Sequence, residues 1–327
     1  IYPPKIGGPA QYSKNLENEL RVKGHDVYVS TFSIENYLPT GIRHIYFFVK
    51  TLPRFVFSDF VISLDTYSVG FPSVFASKLL GKKIIIRTGG DFLWEHYVER
   101  TGKKVLLRNF YDTEKDNFTF KEKVIYKVTK WTLLNVSKLV FSTTWQRDIF
   151  VKAYGLNIEK TYIVENFYGD KESDIDVKNP VFIASTRNLV WKNLSVLEKV
   201  FDKIQILHPE ARLYKNNVPY ESLMALMANS YAVILVSLGD ISPNMIMDSI
   251  RLNRPFICTK EVGIYDRIKE AGIFVDPLNE AEIEKAILEI LNKDGYEKAK
   301  ERVRNFDFTH SWGQIADEFL AIYGTIK

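Results

Sequence analysis

The sequence predicts an α/β protein built from two doubly wound domains and a final helix. Short apolar runs alternate with amphipathic stretches along the chain, which is typical of βαβ units and parallel sheets. A polar stretch at residues 168–179, rich in Asp and Lys, interrupts the alternation and is interpreted as the linker between the domains. With 327 residues the chain is long enough for two domains that each bury their own core.

The first domain, residues 1–167, is predicted to contain five strands and four helices in alternation. Each strand is a short apolar run, and each helix carries apolar residues at helical spacing. The strands are 27–32, 60–64, 83–87, 138–142 and 161–165, and the helices are 9–23, 68–80, 121–135 and 144–153. Because residues 1–4 read like the exit from a strand, we expect the first strand of this sheet to be missing from the chain.

The second domain, residues 168–308, repeats the same alternation, and the last residues, 309–327, form an amphipathic helix. The predicted strands are 181–185, 231–237, 255–259 and 273–275, and the predicted helices are 194–207, 220–227, 243–252, 280–291 and 295–303. In the last segment the apolar residues recur at helical spacing between residues 311 and 323.

The composition excludes several classes of function. The net charge is only +4 and the 44 basic residues are spread widely, so nucleic acid is not an expected partner. The single cysteine, Cys258, rules out an intrachain disulfide and a cysteine-rich zinc site, which fits a cytoplasmic location. No apolar run approaches the ~20 residues that span a bilayer.

Two carboxylates mark the strongest candidate site. Asp240 and Asp248 lie eight residues apart across a loop-to-helix junction that follows a predicted strand. In α/β sheets ligands bind at the carboxyl ends of strands, and these two acids can reach different parts of a polyhydroxylated ligand, such as a sugar ring and a ribose. Acidic pairs at this spacing are also common on solvated helix faces, so both interpretations stay open.

Three further groups lie at predicted strand ends. Gly7 and Gly8 precede a helix, where they let a ligand approach the backbone or simply form a tight turn. Asp91 can bind an acceptor hydroxyl or cap the following helix. Arg187 and Lys192 can grip a diphosphate, the one as a fork and the other as a point charge, or can be solvated.

Together these motifs resemble glycosyltransferases of the GT-B fold, family 4 (glycosyl transferases group 1), over nearly the whole chain. The motifs are Tyr-Pro-Pro-Lys-Ile-Gly-Gly (2–8), Lys-Gly-His-Asp-Val (23–27), Gly-Asp-Phe-Leu-Trp-Glu (90–95), Arg187 with Trp191 and Lys192, Val-Pro-Tyr-Glu-Ser-Leu (218–223), the segment 240–248, Asn-Arg-Pro (253–255) and Gly-Ile-Phe-Val-Asp-Pro (272–277). Their shared order along the chain carries the resemblance.

The resemblance implies a fold and an activity. The fold is GT-B, with two Rossmann-like domains facing a cleft and the C-terminal helix returning to the first domain. The activity is transfer of a sugar, with retention of configuration, from a nucleotide-sugar donor to a glycan or lipid-linked acceptor in polysaccharide biosynthesis. Neither a metal ion nor another cofactor is expected.

The resemblance also implies residue roles in donor binding. Arg187 and Lys192 match the positions that hold the donor diphosphate and offset charge on the departing group. Asp240 falls near the transferred sugar, and Asp248 falls on the nucleotide ribose. In a front-face mechanism the leaving phosphate itself accepts the acceptor's proton.

Other positions complete the implied site. Ser242 and the backbone amides of Asn244 and Met245 face the sugar or phosphate. Gly7 and Gly8 approach the donor from the other side, and Asp91 stands on the acceptor side.

The chain also departs from the family pattern. Asp240 and Asp248 replace two glutamates, Thr186 replaces a glycine, and the segment from Arg212 to Val218 is shorter than in the family. The base selectivity is therefore open. A non-catalytic sugar-nucleotide-binding partner of another transferase is an alternative, and an epimerase-like or phosphorylase-like GT-B enzyme is a third.

Two segments mix cations with aromatic residues. Residues 43–57 and 121–131 can rest on an anionic membrane, which would place the protein at the inner face of the cell membrane. A core helix with snorkelling cations is the alternative.

Overall fold

The computed structural model describes residues 2–3 and 8–326, which form two compact units. Unit 1 contains the described residues up to Leu93, Glu114–Phe167 and the residues from His310 onward, and unit 2 contains Trp94–Thr113 and Tyr168–Thr309. Residues 94–113 were predicted to belong to the first domain, whereas their contacts group them with unit 2. No helix in the described part of the chain is long and apolar enough to cross a bilayer.

The elements are numbered in chain order. The strands are β1 (Phe60–Ser63), β2 (Lys83–Arg87), β3 (Lys138–Phe141), β4 (Thr161–Ile163), β5 (Val181–Ile183), β6 (Arg212–Tyr214), β7 (Ala232–Leu235), β8 (Phe256–Thr259) and β9 (Ile273–Val275). The helices are α1 (Gly8–Val22), α2 (Thr40–Val56), α3 (Gly70–Leu80), α4 (Phe92–Thr101), α5 (Phe110–Thr113), α6 (Phe120–Asn135), α7 (Thr144–Tyr154), α8 (Leu194–Leu207), α9 (Tyr220–Ala228), α10 (Asn244–Arg251), α11 (Tyr265–Ile268), α12 (Glu280–Leu291), α13 (Lys293–Asn305) and α14 (Trp312–Gly324).

Each unit contains one parallel sheet, as the alternating pattern predicts. The sheet of unit 1 has the order β1-β2-β3-β4, and the sheet of unit 2 has the order β6-β5-β7-β8-β9. In unit 1, Ile85 of β2 lies opposite Ile62 of β1 and Lys138 of β3. In unit 2, Ile183 of β5 lies opposite Val233 of β7.

Both faces of the unit 2 sheet are covered, which makes this unit doubly wound. Phe182 and Ile234 point into a core shared with α8 and α12. Ile183 and Val233, one residue along each strand, point into a second core shared with α9 and α10. Strands buried on both faces read as continuous apolar runs, which is why they could be found in the sequence.

The last helix packs into the core of unit 1. Phe319 of α14 is fully buried in one cluster with Leu16 of α1, Ile85 of β2 and Val140 of β3. A capping box begins this helix, with Ser311 accepting from the Gln314 amide and Gln314 accepting from the Ser311 amide. The return of the C-terminal helix to the first domain is therefore confirmed.

The predicted strand at residues 27–32 is wrong, since these residues, all of which are described, form no strand. A period-two apolar pattern indicates extended backbone, but a strand also needs a neighbouring strand to share its backbone hydrogen bonds. Here cationic side chains donate to alternate carbonyl oxygens of the segment: Arg21 to Val27, Arg54 to Val29 at 2.7 Å and Lys50 to Thr31 at 2.8 Å.

Five elements were missing from the predicted list: α2, α4, α5, α11 and β6. Residues 40–56 form α2, whose inner face buries Phe47 and Phe55 while its outer face is exposed. β6 is an edge strand of three residues within the short segment after Ala211, and three residues are too few to give a periodic signal.

Candidate functional site

The candidate site lies at the carboxyl ends of β5 and β7 in unit 2. The chain runs from β5 outward to β6, then crosses to the other side of β5 to form β7. This reversal is a topological switch point, where the loops after two neighbouring strands diverge and leave a crevice for ligands. The loop after β5 carries Lys192, and the loop after β7 carries Asp240.

These two residues form an ion pair. The ammonium of Lys192 lies 2.7 Å from Oδ2 of Asp240, and only 13% and 14% of the two side chains are exposed. The same ammonium sits 4.2 Å from the ring centroid of Trp191, which is a favourable cation–π position. Thus the structure brings together two of the predicted site residues, 48 positions apart in sequence.

The backbone of Asp240 is fixed from the neighbouring loop after β8. Its amide donates to the Glu261 carbonyl at 2.9 Å, and its carbonyl accepts from the Gly263 amide at 2.9 Å. These bonds make an isolated parallel bridge between Asp240 and Val262. The backbone of Asp240, whose carboxylate pairs with Lys192, is therefore held by a short parallel bridge beyond the end of the sheet.

Donor groups gather where α10 begins. The residue before the helix, Pro243, provides no side-chain cap, so the amides of Asn244 and Met245 in the first turn lack a capping acceptor from it. The hydroxyl of Ser242 is buried and has no hydrogen-bond partner among the described residues. An uncapped helix start beside an unpaired hydroxyl suits an anion or a hydroxyl-rich ligand.

Asp248 lies on the second turn of α10 and faces Tyr220. The Tyr220 hydroxyl donates to Oδ1 of Asp248 at 3.1 Å. Burial raises the pKa of the Asp248 carboxyl to about 6, although the Arg251 guanidinium and the Tyr220 hydrogen bond oppose this rise. Burial and the neighbouring Asp248 carboxylate raise the pKa of Tyr220 to about 12.

The remaining predicted residues occupy separate places. Arg187 is exposed on the loop after β5. In unit 1, Asp91 is buried after β2, and its Oδ1 accepts from the Leu93 amide at 3.1 Å, as a helix-capping residue does. Gly8 is the first residue of α1, and Gly7 lies outside the described residues.

Three features of the site were not predicted from the sequence. Trp191 supports the Lys192 ammonium, and Tyr220 holds Asp248. Both belong to motifs that carried the family resemblance, so their position in those motifs was the available signal. The third feature is the packing of residues 94–113 in unit 2, which no local sequence pattern indicates.

Metal ligands are not grouped in the described residues. No set of three or more His, Cys, Asp or Glu side chains there is placed to hold a metal ion.

No protein-family model matches the chain, and no curated protein matches it in sequence. Solved structures share its architecture. HepE from Anabaena, in complex with UDP-glucose, has a TM-score of 0.66 over 98% of both chains at 14% identity. Sucrose-phosphate synthase from Thermosynechococcus elongatus has a TM-score of 0.65 over 98% of this chain and 93% of its own, at 13% identity.

WaaG, a glycosyltransferase involved in lipopolysaccharide biosynthesis, has a TM-score of 0.65 over 98% of this chain and 97% of its own, at 12% identity. Likeness at such low identity bears on the fold alone. With its two parallel-sheet, Rossmann-like domains, this chain has the GT-B fold.

Proposed function

We propose that this protein is a retaining, metal-independent glycosyltransferase that moves a sugar from a nucleotide-sugar donor to a glycan or lipid-linked acceptor. The observation that carries the proposal is the Lys192–Asp240 pair at the switch point of unit 2. Fold likeness supports it, since one neighbour was solved with UDP-glucose. UDP-glucose is therefore the first donor to test.

Each group of the site has a task in this proposal. Lys192 would leave its contact with Asp240 to bind the donor diphosphate and would stabilise the charge that develops as the sugar departs. Asp240, freed from the ammonium, would accept a hydrogen bond from a sugar hydroxyl. Exposed Arg187 would add a second cation, and the leaving phosphate would take the acceptor's proton.

The start of α10 would hold the rest of the donor. The first-turn amides of Asn244 and Met245 and the unpaired Ser242 hydroxyl would donate to phosphate or sugar oxygens. Asp248 would accept from the ribose hydroxyls. In unit 1, Gly7, Gly8 and Asp91 remain proposed contacts of the donor and acceptor.

The first test is a calorimetric screen of UDP-, GDP-, ADP- and CDP-sugars against the wild type and two lysine variants. Lys192→Ala should weaken binding of the preferred donor by at least about tenfold, because one charge-assisted contact to the diphosphate is lost. Lys199→Ala is the control, since Lys199 is exposed on α8 and pairs with Glu280. Equal affinity of Lys192→Ala and the wild type would refute the donor site.

Turnover separates the enzyme from a binding protein. The preferred donor is incubated with a panel of glycan and lipid-linked acceptors, and any product is examined by proton NMR. The coupling constant at the new anomeric centre should match that of the donor sugar. An inverted product would refute retention. Donor binding without transfer to any acceptor would instead favour the non-catalytic sugar-nucleotide-binding protein.

We also propose that unit 1 rests on an anionic membrane through an apolar surface formed by α2 and α3. Ile45 and Val49 are exposed one turn apart on α2, and Phe75 and Leu79 are exposed one turn apart on α3. The two rows adjoin, because Phe48 of α2 contacts the Phe75 ring at 5.4 Å between centroids. We call these four exposed residues the α2–α3 surface.

Lysines border this surface. Lys78 lies on α3 and donates to Asn135 of α6 at 2.5 Å, and Lys82 follows α3 and donates to the Val56 carbonyl at 2.9 Å. Lys127 is exposed on α6. Apolar side chains with lysines nearby on the same and neighbouring helices match a membrane that has an acyl layer beneath anionic headgroups.

Vesicle flotation tests the membrane proposal. The protein should float with phosphatidylcholine vesicles that contain phosphatidylglycerol, less so as salt rises, and Ile45→Glu with Leu79→Glu should abolish flotation. Ile206→Glu, at an exposed apolar residue of α8, is the control. Unchanged flotation of the double variant would refute this surface.

A further inference from the structure

Residues 94–113, here called the strap, pack onto the loops that build the candidate site. The strap comprises most of α4, a 3-10 turn at Leu107–Asn109, and α5. It contacts three loops of unit 2: those after β5, β7 and β8. The first two carry Lys192 and Asp240, and the third holds the Asp240 backbone.

At the loop after β7, the strap approaches as closely as a glycine allows. The Leu107 amide donates to the Leu238 carbonyl at 3.3 Å. A Cβ added to Gly239 would lie 2.7 Å from Leu107 Cβ, which is too close for a side chain, and 3.2 Å from the Trp94 ring, which is a tight contact. The absence of a side chain at Gly239 therefore allows the strap to pack directly beside Asp240.

At the loop after β5, the strap holds the residue that supports Lys192. The rings of Trp94 and Trp191 lie 5.6 Å apart between centroids, and the Trp191 amide donates to Oε1 of Glu99 at 3.4 Å. The Trp94 indole is itself fixed by donating to the Val105 carbonyl at 2.9 Å. The strap thus holds Trp191 through a ring contact and a backbone hydrogen bond.

At the loop after β8, the strap makes a strong polar contact. Nε of Arg108 donates to Oε2 of Glu261 at 2.6 Å, and the Glu261 side chain is only 7% exposed while that of Arg108 is 46% exposed. Burial raises the pKa of Glu261, and the Arg108 hydrogen bond opposes this rise. The Glu261 carbonyl is the acceptor for the Asp240 amide, so one backbone hydrogen bond connects the residue of this ion pair to Asp240.

We infer that Arg108 and Glu261 are positioning residues, which act through the β8 loop to hold Asp240 in register with Lys192. This inference rests on the proposed donor site. Removing Arg108 leaves the buried Glu261 carboxyl without its cation, so either the carboxyl takes up a proton or its loop opens to hydrate it. Both outcomes remove the ion pair that fixes this loop to the strap. Because the ion-paired acid and lysine are the groups proposed to bind donor, loosening them lowers both affinity and turnover.

The test compares the wild type with Arg108→Ala, Arg108→Lys and the control Lys104→Ala, in which another exposed cation of the strap is removed. Hydrogen exchange of peptides covering residues 238–242 and 260–264 is measured without ligand, and affinities for UDP, GDP, ADP and CDP are measured by calorimetry. For any active donor, KM and kcat are separated.

Arg108→Ala should exchange about tenfold faster in both peptides and bind the preferred nucleotide about tenfold more weakly, as the loss of one charge-assisted hydrogen bond predicts. Arg108→Lys should recover part of both losses, and Lys104→Ala should match the wild type. A drop in kcat beyond the change in KM would mark misplacement of the reacting groups rather than weaker binding alone.

The outcomes separate the two claims. Unchanged exchange and unchanged affinity in Arg108→Ala overturn the positioning inference while leaving the donor site in place. If the wild type binds none of the four nucleotides, the proposed function fails, and the exchange rates alone decide whether the strap fixes the Asp240 loop.

Discussion

Replacing Asp248 by Asn should stabilise the folded protein while lowering its affinity for nucleotide. The carboxyl has a pKa of about 6 in the folded chain, against an ordinary value of 3.8, because burial penalises its charged form. Each pH unit of difference corresponds to ~1.4 kcal/mol, so ionised Asp248 costs the fold up to about 3 kcal/mol. Asn keeps an acceptor for the Tyr220 hydroxyl but carries no charge.

The sign of the pH dependence follows from the raised pKa. The folded state binds the proton more tightly than the unfolded state, so the favourable contribution of Asp248 is complete below pH 3.8 and is lost as pH rises through about 6. Asn mimics the protonated form at every pH. The variant should therefore gain stability over the wild type between pH 4 and pH 7, and the gain should level off above that.

Urea unfolding between pH 4.5 and pH 8 measures this gain as the difference in unfolding free energy between variant and wild type. Asp266→Asn is the control, because the Asp266 side chain is 92% exposed and its charge costs the fold little. A difference for Asp248→Asn that is the same at pH 5 and pH 8 would refute the raised pKa. Under the proposed function the same variant should bind nucleotide at least about tenfold more weakly at pH 8, because charged acceptors make the stronger hydrogen bonds to ribose.

Two further predictions concern packing and a buried ion pair. Gly239→Ala should lower the free energy of unfolding by about 1–3 kcal/mol, because the new methyl group pushes Leu107 away. The control Gly41→Ala meets open space and should be neutral or slightly stabilising. Thermal unfolding compares the two variants, and equal melting temperatures would contradict the close approach of Leu107 to Gly239. Glu35→Gln should cost about 2 kcal/mol, because the fully buried carboxylate accepts from the Lys50 ammonium at 2.6 Å. Burial raises the pKa of Glu35, but the hydrogen bonds from Lys50 and Ser33 lower it by more, so this pKa lies below its ordinary value. The cost of Glu35→Gln should therefore be present above pH 4.5 and fade as the pH falls below it. A cost that persists in acid would contradict the pairing of Glu35 with Lys50.

The sequence predicted most elements of the fold because their signals are local. The run at 83–87 is a continuous apolar stretch buried on both faces, and the helix at 194–207 has apolar residues on one side, so each could be recognised from its own residues. The segment at 27–32 also has a local strand pattern, of period two, but it lacks a strand partner. Whether a partner exists is a property of the whole chain, which no local pattern contains.

The candidate site was predictable to the same extent. Lys192, Asp240 and Asp248 follow recognisable strands, so their placement at one end of the sheet could be argued from the α/β pattern. The Arg108–Glu261 contact joins residues 153 positions apart, and neither lies in a periodic element that would place it. Such contacts depend on the tertiary arrangement, and only the structure provides it.

Three features that disfavour the unliganded fold lie within a few residues of one another at the start of α10. Their proximity indicates a ligand site. Pro243 leaves the helix without a side-chain cap, the Ser242 hydroxyl is buried without a partner among the described residues, and Asp248 keeps a carboxylate where burial disfavours it. Each defect costs free energy in the unliganded chain, and a substitution as simple as Asp248→Asn removes one of them. A phosphate would satisfy the helix amides, and hydroxyls would satisfy Asp248 and Ser242, so a phosphorylated sugar or nucleoside relieves all three costs at once. An apolar ligand would relieve none of them, which is the physical reason for proposing a nucleotide sugar as the ligand of this crevice.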